Sequence, residues 1–316
     1  MFVKLFIRIL AIFGMIAAGI LARKLNMLNK ETASQMSRIT TNFFYPALIF
    51  TSLTSNFTLK GLADNWMLPL GALIIMVVGY IVGNITALFT VFTEERQKGQ
   101  FLFQSTINNY SFLPLPIVLM LYGDIGVAGL IFSTLGSELS VWTIGVLALT
   151  GNKFRKGNFK NLLSAPMMAI LFSIIVIAAR DICGYRCGGN IQEIGQSVFS
   201  AISVFGQGAI PVAMFIAGSR MADLKPRNLF TVLQGYTVAL RLLIIPAIAA
   251  AIIYLLPFSQ EVRNVLYVVA VMPSAITSVV LSEVYNSDTE FAVSCVLATH
   301  IFSLMTIPLW LSFLLK

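Results

Sequence analysis

The first residues whose side chains could bind a ligand are two neighbouring amides inside an apolar stretch. Positions 105–123 read STINNYSFLPLPIVLMLYG, with Asn108 and Asn109 adjacent and Pro114 and Pro116 shortly after them. Amide side chains both donate and accept hydrogen bonds, while proline removes a backbone donor and breaks the helix around it. Such a stretch either offers free polar groups to a ligand or forms a kinked helix whose asparagines bond to a neighbouring helix.

A second apolar stretch shows a similar combination near the other end of the chain. It reads NVLYVVAVMPSAITSVVLSEVYN over 264–286, with a central proline followed by hydroxyl groups. In lipid, backbone groups freed by a proline need a partner or water, and broken helices offer N–H groups to an anion or carbonyls to a cation. Because both stretches occupy matching places in two halves of the chain, we predict that they cross as broken helices. The predicted substrate-binding residues are Asn108, Asn109, Pro114, Pro116, Pro273, Ser274 and Thr277.

Two ionisable residues inside apolar runs lie at nearly equivalent positions of the two halves. Glu138 lies in STLGSELSVW and His300 lies in LATHIFSLM. Because charged groups in lipid are costly, such residues often mark a pathway or a proton relay, so both are candidates for proton or ion coupling. A buried structural role is the alternative for each. Arg241, also inside an apolar run, could neutralise an anionic substrate, pair with a carboxylate or extend to the membrane surface.

The composition predicts the class of protein. Of 316 residues, 58% are hydrophobic and 11% are charged, and the mean hydropathy is +0.87, whereas soluble domains carry roughly 25% charged residues. Apolar runs of about 20 residues, the length that crosses a bilayer, recur from end to end. We predict an all-α polytopic membrane protein with about ten transmembrane helices, over 5–22, 37–54, 67–93, 101–122, 126–149, 162–180, 194–219, 229–256, 264–283 and 290–315.

The distribution of basic residues predicts the orientation. One set of alternating loops contains 13 Lys and Arg residues and the other set contains 7, and an excess of these residues marks the cytoplasmic side. Both termini are therefore predicted to be extracytoplasmic, in a multi-pass protein of the cell (inner) membrane. The net charge of +8 follows from this topology and requires no nucleic acid partner.

An internal repeat divides the predicted helices into two sets of five. LYGDIGVAGLIFSTLGSELSVWTIG at 121–145 corresponds to VYNSDTEFAVSCVLATHIFSLMTIP at 284–308. Because five is an odd number, the second set must be inverted relative to the first. We predict two five-helix repeats, 1–150 and 151–316, an architecture that many secondary transporters use, with the substrate site near the middle of the membrane.

Motifs of other protein classes are missing from the sequence. It contains no HExxH, no GxSxG and no pair of intramembrane aspartates, the patterns that would indicate a membrane-bound hydrolase, so an enzyme is not expected. Cys183, Cys187 and Cys295 form no metal-binding pattern with the single His300. No metal or cofactor is expected beyond a possible coupling ion, H+ or Na+. Cys183 and Cys187 are expected to form a disulfide or to stay as two thiols.

Three segments resemble a known family. NNYSFLPLPIVLMLYG, VMPSAITSVVLSEVYN and SLMTIPLWL are similar to the auxin efflux carrier family, with its plant PIN-type and bacterial malate-permease-like members, and the similarity runs over essentially the whole chain. Asn109 and Pro116 have the family's spacing before a Tyr-Gly pair, and Pro273 has its spacing before E-x-Y-N. Asn108 stands where plant carriers have a proline, so the fourth helix is expected to break elsewhere, for instance nearer Pro114.

The resemblance implies a mechanism and an assembly. It implies an elevator-type secondary transporter in which helices 1, 2, 6 and 7 form a scaffold while helices 3–5 and 8–10 move. It also implies a small organic anion such as a carboxylate, malate-like or auxin-like, bound where helices 4 and 9 cross, and a homodimer formed through the scaffold. A ligand-binding membrane sensor or a channel on the same fold is the alternative.

Overall fold

The chain folds into α-helices joined by short connections, and the described residues include no β-strand. The computed structural model describes residues 2–151, 163–183, 190–223 and 231–315. Cys187 lies outside these ranges, so the predicted disulfide to Cys183 is outside the described residues. The helices are α1 (Phe2–Lys24), α2 (Lys30–Ile39), α3 (Tyr45–Asn56), α4 (Leu59–Asp64), α5 (Met67–Ala87), α6 (Glu95–Thr106), α7 (Pro114–Ser140), α8 (Val146–Thr150), α9 (Ala165–Cys183), α10 (Asn190–Gln207), α11 (Ala209–Asp223), α12 (Val232–Ala239), α13 (Ile245–Leu255), α14 (Gln260–Ala270), α15 (Thr277–Val284) and α16 (Thr289–Leu314).

Seven helical segments of the described chain are long and apolar enough to cross a membrane. They are Phe2–Lys24, Leu59–Ala87, Pro114–Thr150, Ala165–Ile182, Glu193–Asp223, Val232–Leu255 and Thr289–Leu314. The predicted spans without such a segment of their own lie at 37–54, where α3 is only 12 residues long, and at 101–122 and 264–283, where the helices are interrupted. The protein is a polytopic helical membrane protein, and the count of ten spans and the inverted repeat stay predictions.

The first group of helices packs around α1 and α11, and α2, α3, α9 and α10 complete it. Gly19 of α1 and Gly218 of α11 allow the two helix backbones to touch. A Cβ atom on Gly19 would lie 1.9 Å from the Phe215 carbonyl oxygen, and one on Gly218 would lie 1.9 Å from the Ile16 carbonyl oxygen. No side chain fits in these two places, so the residue at each must be glycine.

The second group contains α5, α6, α7 and α12 to α16. Within it, α5 packs against α6, α7 and α14, and α16 packs against α6, α12 and α15. Gly136 of α7 meets α5 closely, since a Cβ there would lie 1.9 Å from the Pro69 carbonyl oxygen. The two groups touch where α3 meets α7 and where α1 meets α16, and the remaining space between them contains the site.

Two helical stretches of the second group are interrupted by short non-helical segments. The first break covers 107–113, between α6 and α7, and includes Asn108. The second covers 271–276, between α14 and α15, around Pro273. The first break thus begins earlier than the position near Pro114 that we expected. Pro114 instead starts α7, where its missing N–H would have no partner in the helix.

Candidate functional site

The two breaks lie side by side and are joined by backbone hydrogen bonds. The Asn109 N–H donates to the Pro273 carbonyl oxygen at 2.8 Å, and the Ala275 N–H donates to the Ile107 carbonyl oxygen at 3.3 Å. These bonds pair backbone groups that the broken helices would otherwise leave free, as the interior of a membrane protein requires. The two breaks therefore form one crossing.

Asn108 and Ser274 lie at the centre of this crossing. They pair as an isolated antiparallel bridge, which places their side chains on the same side, and both are 0% exposed. Nδ2 of Asn108 donates to the Val269 carbonyl oxygen at 2.6 Å, whereas Oδ1 of Asn108 and the Ser274 hydroxyl have no hydrogen-bond partner among the described residues. An unpaired buried polar atom costs about 1–3 kcal/mol. Of these two oxygens, Oδ1 of Asn108 is therefore available to a ligand or a water molecule, because Asn108 lines the cavity described below and Ser274 does not.

Asn109 connects the crossing to α16 through His300. Its Nδ2 lies 3.3 Å from Nε2 of His300, and Nδ1 of the same imidazole lies 2.8 Å from the Val296 carbonyl oxygen. A carbonyl oxygen only accepts, so Nδ1 carries the proton and Nε2 accepts from the amide. Both ring nitrogens are satisfied in this arrangement, and the imidazole holds the Asn109 side chain in place.

A cavity of about 210 Å³ lies against the crossing, between the two groups of helices. One wall is formed by 108–112 of the first break and by 275–277 around the start of α15. Further lining residues contribute hydroxyl groups and a cation, from Ser37, Thr40, Thr41, Tyr45 and Arg220. Because α7 and α15 both begin beside it, and helix N-termini carry partial positive charge, the cavity is suited to an anion.

Glu138 supplies a carboxylate to the same cavity. The Tyr110 hydroxyl donates to its Oε1 at 2.9 Å and the Trp142 indole N–H donates to its Oε2 at 3.1 Å. The ion pairs of the described chain involve other residues. The Tyr45 and Ser111 hydroxyls share a hydrogen bond of 2.9 Å in the wall nearby. Among the described residues, hydrogen bonds and not an ion pair therefore hold the Glu138 carboxylate.

Arg220, in the last turn of α11, is a candidate site residue that was not predicted from the sequence. It is half-buried and lines both the first cavity and a second one of about 590 Å³, which reaches the exposed residues Lys30, Glu283 and Glu290. Its neighbour Asp223 pairs with Arg23 instead. A signal was present in the sequence, since 213, 216, 217 and 220 follow helical spacing and all line the cavity.

The predicted site residues fall into three sets in the structure. Four of them line the cavity: Asn108, Asn109, Glu138 and Thr277. Two lie behind it, next to the asparagines: Ser274 and His300. Three prolines shape the backbone at the crossing. Pro114 and Pro116 lie in the first turn of α7, and the Pro273 carbonyl oxygen accepts a hydrogen bond from the Asn109 N–H in the first break.

Comparison with known proteins agrees with the membrane fold. A family model described as "Membrane transport protein" matches residues 4–156 and 146–311. The chain is 25% identical over 313 residues to an uncharacterized transporter of Methanocaldococcus jannaschii, with 96% of each chain covered. It is 27% identical over 314 residues to an uncharacterized transporter of Methanothermobacter thermautotrophicus, again with 96% of each chain covered.

Proposed function

The chain belongs to the membrane transport protein family, which confirms the resemblance to auxin efflux carriers, and from this premise we propose a secondary active carrier of a small organic anion. Membership of this family identifies a multi-pass transporter and not an enzyme. The observation that carries the proposal is the cavity formed jointly by the two breaks. It lies between two groups of helices, next to two helix N-termini, and contains Arg220.

The cavity favours a small carboxylate as substrate. Its volume of about 210 Å³ is below the roughly 300–1,000 Å³ of pockets for drug-sized ligands, which favours a malate-like over an auxin-like molecule. Arg220 provides a planar set of donors that matches a carboxylate. The unpaired Oδ1 of Asn108 would accept a hydrogen bond from a substrate hydroxyl, so a hydroxy acid satisfies both groups at once.

An elevator mechanism fits the position of this cavity. The first group of helices, around α1 and α11, corresponds to the predicted scaffold (helices 1, 2, 6 and 7), and the second group, with both breaks, to the predicted moving domain (helices 3–5 and 8–10). A substrate held against the crossing would travel with the second group while the first group stays fixed. The second cavity, which shares Arg220 and Ile276 with the first, would be the route to solvent in the conformation described.

The distribution of charge supports an inward-facing conformation in the cell membrane. Lys30 and Arg220 of the second cavity belong to the loop set that is rich in basic residues, the set expected on the cytoplasmic side, so both termini would be extracytoplasmic. Within the scaffold, α10 turns an exposed face with Ser197 and Ser200 outward. Polar and small residues on a lipid-facing helix favour packing against another helix, which supports a homodimer formed through the scaffold.

Glu138 is the proposed proton-coupling group. It lines the cavity beside Tyr110, and Tyr45 and Arg220 line the same cavity. An ionised Glu138 would repel an anionic substrate in so small a space, and protonation removes this repulsion. Substrate binding would then bring a proton with it. His300, whose nitrogens are both engaged, would act by positioning Asn109.

Flux measurements in proteoliposomes test the carrier against a sensor or a channel. A stabilisation screen of mono- and dicarboxylates, with and without Na+ and at two pH values, selects the substrate first. Saturable uptake with counterflow of that substrate is the expected result. Binding without flux would contradict the carrier and favour a sensor, and non-saturable flux would favour a channel.

A further inference from the structure

Arg241 is a fully buried cation whose partners are backbone carbonyls. Its side chain is 0% exposed, and no carboxylate of the described residues forms an ion pair with it. One terminal nitrogen, Nη1, donates to the Ser105 carbonyl oxygen at 3.0 Å, and Nη2 donates to the Ala270 carbonyl oxygen at 3.3 Å. A buried charge without compensation destabilises a protein by several kcal/mol. These carbonyl groups therefore have to provide the compensating negative charge.

Both carbonyl groups belong to the C-terminal ends of broken half-helices. Ser105 lies in the last turn of α6, and Ala270 is the last residue of α14. Each helix C-terminus carries roughly half a negative charge, so the two ends together match one guanidinium group. The planar fork of arginine, with donors pointing in two directions, can reach both ends at once. Arg241 lies in a π-helical turn, Leu240–Ile244, a type of turn that is frequent at functional sites.

A soluble ion often occupies such a place in other transporters. In discontinuous membrane helices, the C-terminal ends and unwound carbonyls commonly coordinate Na+. We propose that Arg241 is a built-in cation that neutralises the two half-helix ends at the crossing, so that this place takes no Na+ in the wild type and binds small cations once the guanidinium is removed. Arg241 is outside the walls of the substrate cavity, so this proposal stands or fails separately from the proposed substrate site.

Two substitutions with side chains of similar length separate the effect of charge on stability from the effect of packing. Arg241→Met keeps most of the volume and removes the charge, while Arg241→Lys keeps the charge. We expect Arg241→Met to lower the melting temperature of the purified protein by roughly 5–10 °C and Arg241→Lys to lose less than half as much. Arg263→Met is the matched control, because Arg263 donates to a single helix-end carbonyl, that of Leu256, at 3.0 Å, and it should shift the melting temperature by less than about 2 °C. Equal stability of Arg241→Met and Arg241→Lys would overturn the proposal.

Cation rescue tests the proposed binding directly. Arg241→Ala opens space between the two carbonyl groups, so guanidinium at about 5 mM or NaCl at about 100 mM, each compared with choline chloride, should raise its melting temperature. The wild type should not respond. If Arg241→Ala does not fold, the same measurement is made on Arg241→Gln. A response of the wild type that equals or exceeds that of the variant would refute the built-in cation.

Discussion

Replacing Arg220 by glutamine removes the positive charge from the substrate cavity while leaving a polar side chain in place. Arg220 is the one basic residue among the described residues that line this cavity. It forms no ion pair within the described chain, because Asp223 is taken by Arg23. Its charge is therefore free for an anionic substrate. We expect Arg220→Gln to weaken substrate binding while leaving the fold intact.

The size of the effect follows from the position of the side chain. A hydrogen bond to a charged group contributes about 1.5–3 kcal/mol, and because Arg220 is half-buried, screening by water favours the lower limit. About 1.4 kcal/mol corresponds to a tenfold change in Kd. At a substrate concentration of about 100 Kd, the stabilisation of the wild type is about 2.7 kcal/mol, and a tenfold weaker variant retains about 1.4 kcal/mol. Arg220→Lys keeps the charge but loses the fork geometry, so it should fall between them.

Isothermal titration of the substrate found by the stabilisation screen measures these values. Lys30→Gln is the matched control, because Lys30 lines the outer cavity but not the inner one. It should change Kd by less than about twofold, as expected for an exposed charge. If Arg220→Gln keeps the wild-type Kd, or if Lys30→Gln weakens binding equally, Arg220 does not contact the substrate and the reasoning is wrong.

Three further predictions concern other parts of the molecule. Asn109→Ala should abolish substrate-induced thermal stabilisation. The variant should still fold, because the backbone N–H of residue 109 still donates to the Pro273 carbonyl oxygen. Unchanged stabilisation by substrate would show that the site lies away from the crossing. Glu138→Gln should make Kd independent of pH, whereas wild-type binding should weaken as the pH rises and Glu138 loses its proton, since the ionised carboxylate repels an anion. Titration calorimetry over a range of pH values measures this, and a flat wild-type profile would contradict it. Gly218→Ala should lower the melting temperature by several degrees, because its Cβ would lie 1.9 Å from the Ile16 carbonyl oxygen, whereas Gly14→Ala, with nothing within 4 Å, should have no such effect.

Local rules were sufficient to locate the crossing in the sequence. Asn108, Asn109 and Pro273 all lie in the non-helical segments, because adjacent amides and a proline inside a long apolar run have few other roles in lipid. The comparison with the family's proline instead led us to expect the first break nearer Pro114, whereas it begins at Ile107. Pro114 and Pro116 were expected to interrupt a helix, yet both lie in the first turn of α7, where proline is tolerated. A proline thus indicates a helix boundary, but not on which side of it the helix lies.

Helical spacing places Arg220 on one face of α11 with 213, 216 and 217, but it does not show what that face contacts. In the sequence Arg220 follows an apolar run and resembles a loop charge, whereas in the structure α11 continues through it to Asp223. Its contact with the cavity depends on how α11 lies against the crossing, which is set by the close approach of α1 and α11 at Gly19 and Gly218. Tertiary packing, and not the spacing of polar residues, makes it a site residue.

The crossing of two broken helices produces an arrangement of charge that one broken helix cannot. A single break yields one helix N-terminus and one C-terminus, whose partial charges lie close together and largely cancel. Two crossed breaks bring two N-termini, of α7 and α15, to the cavity and two C-termini, of α6 and α14, to Arg241. Each pair carries roughly one full charge. If Arg241 neutralises the negative pair, as proposed, the positive pair and Arg220 remain to attract the proposed anion, and the fixed arginine would determine the sign of the candidate site.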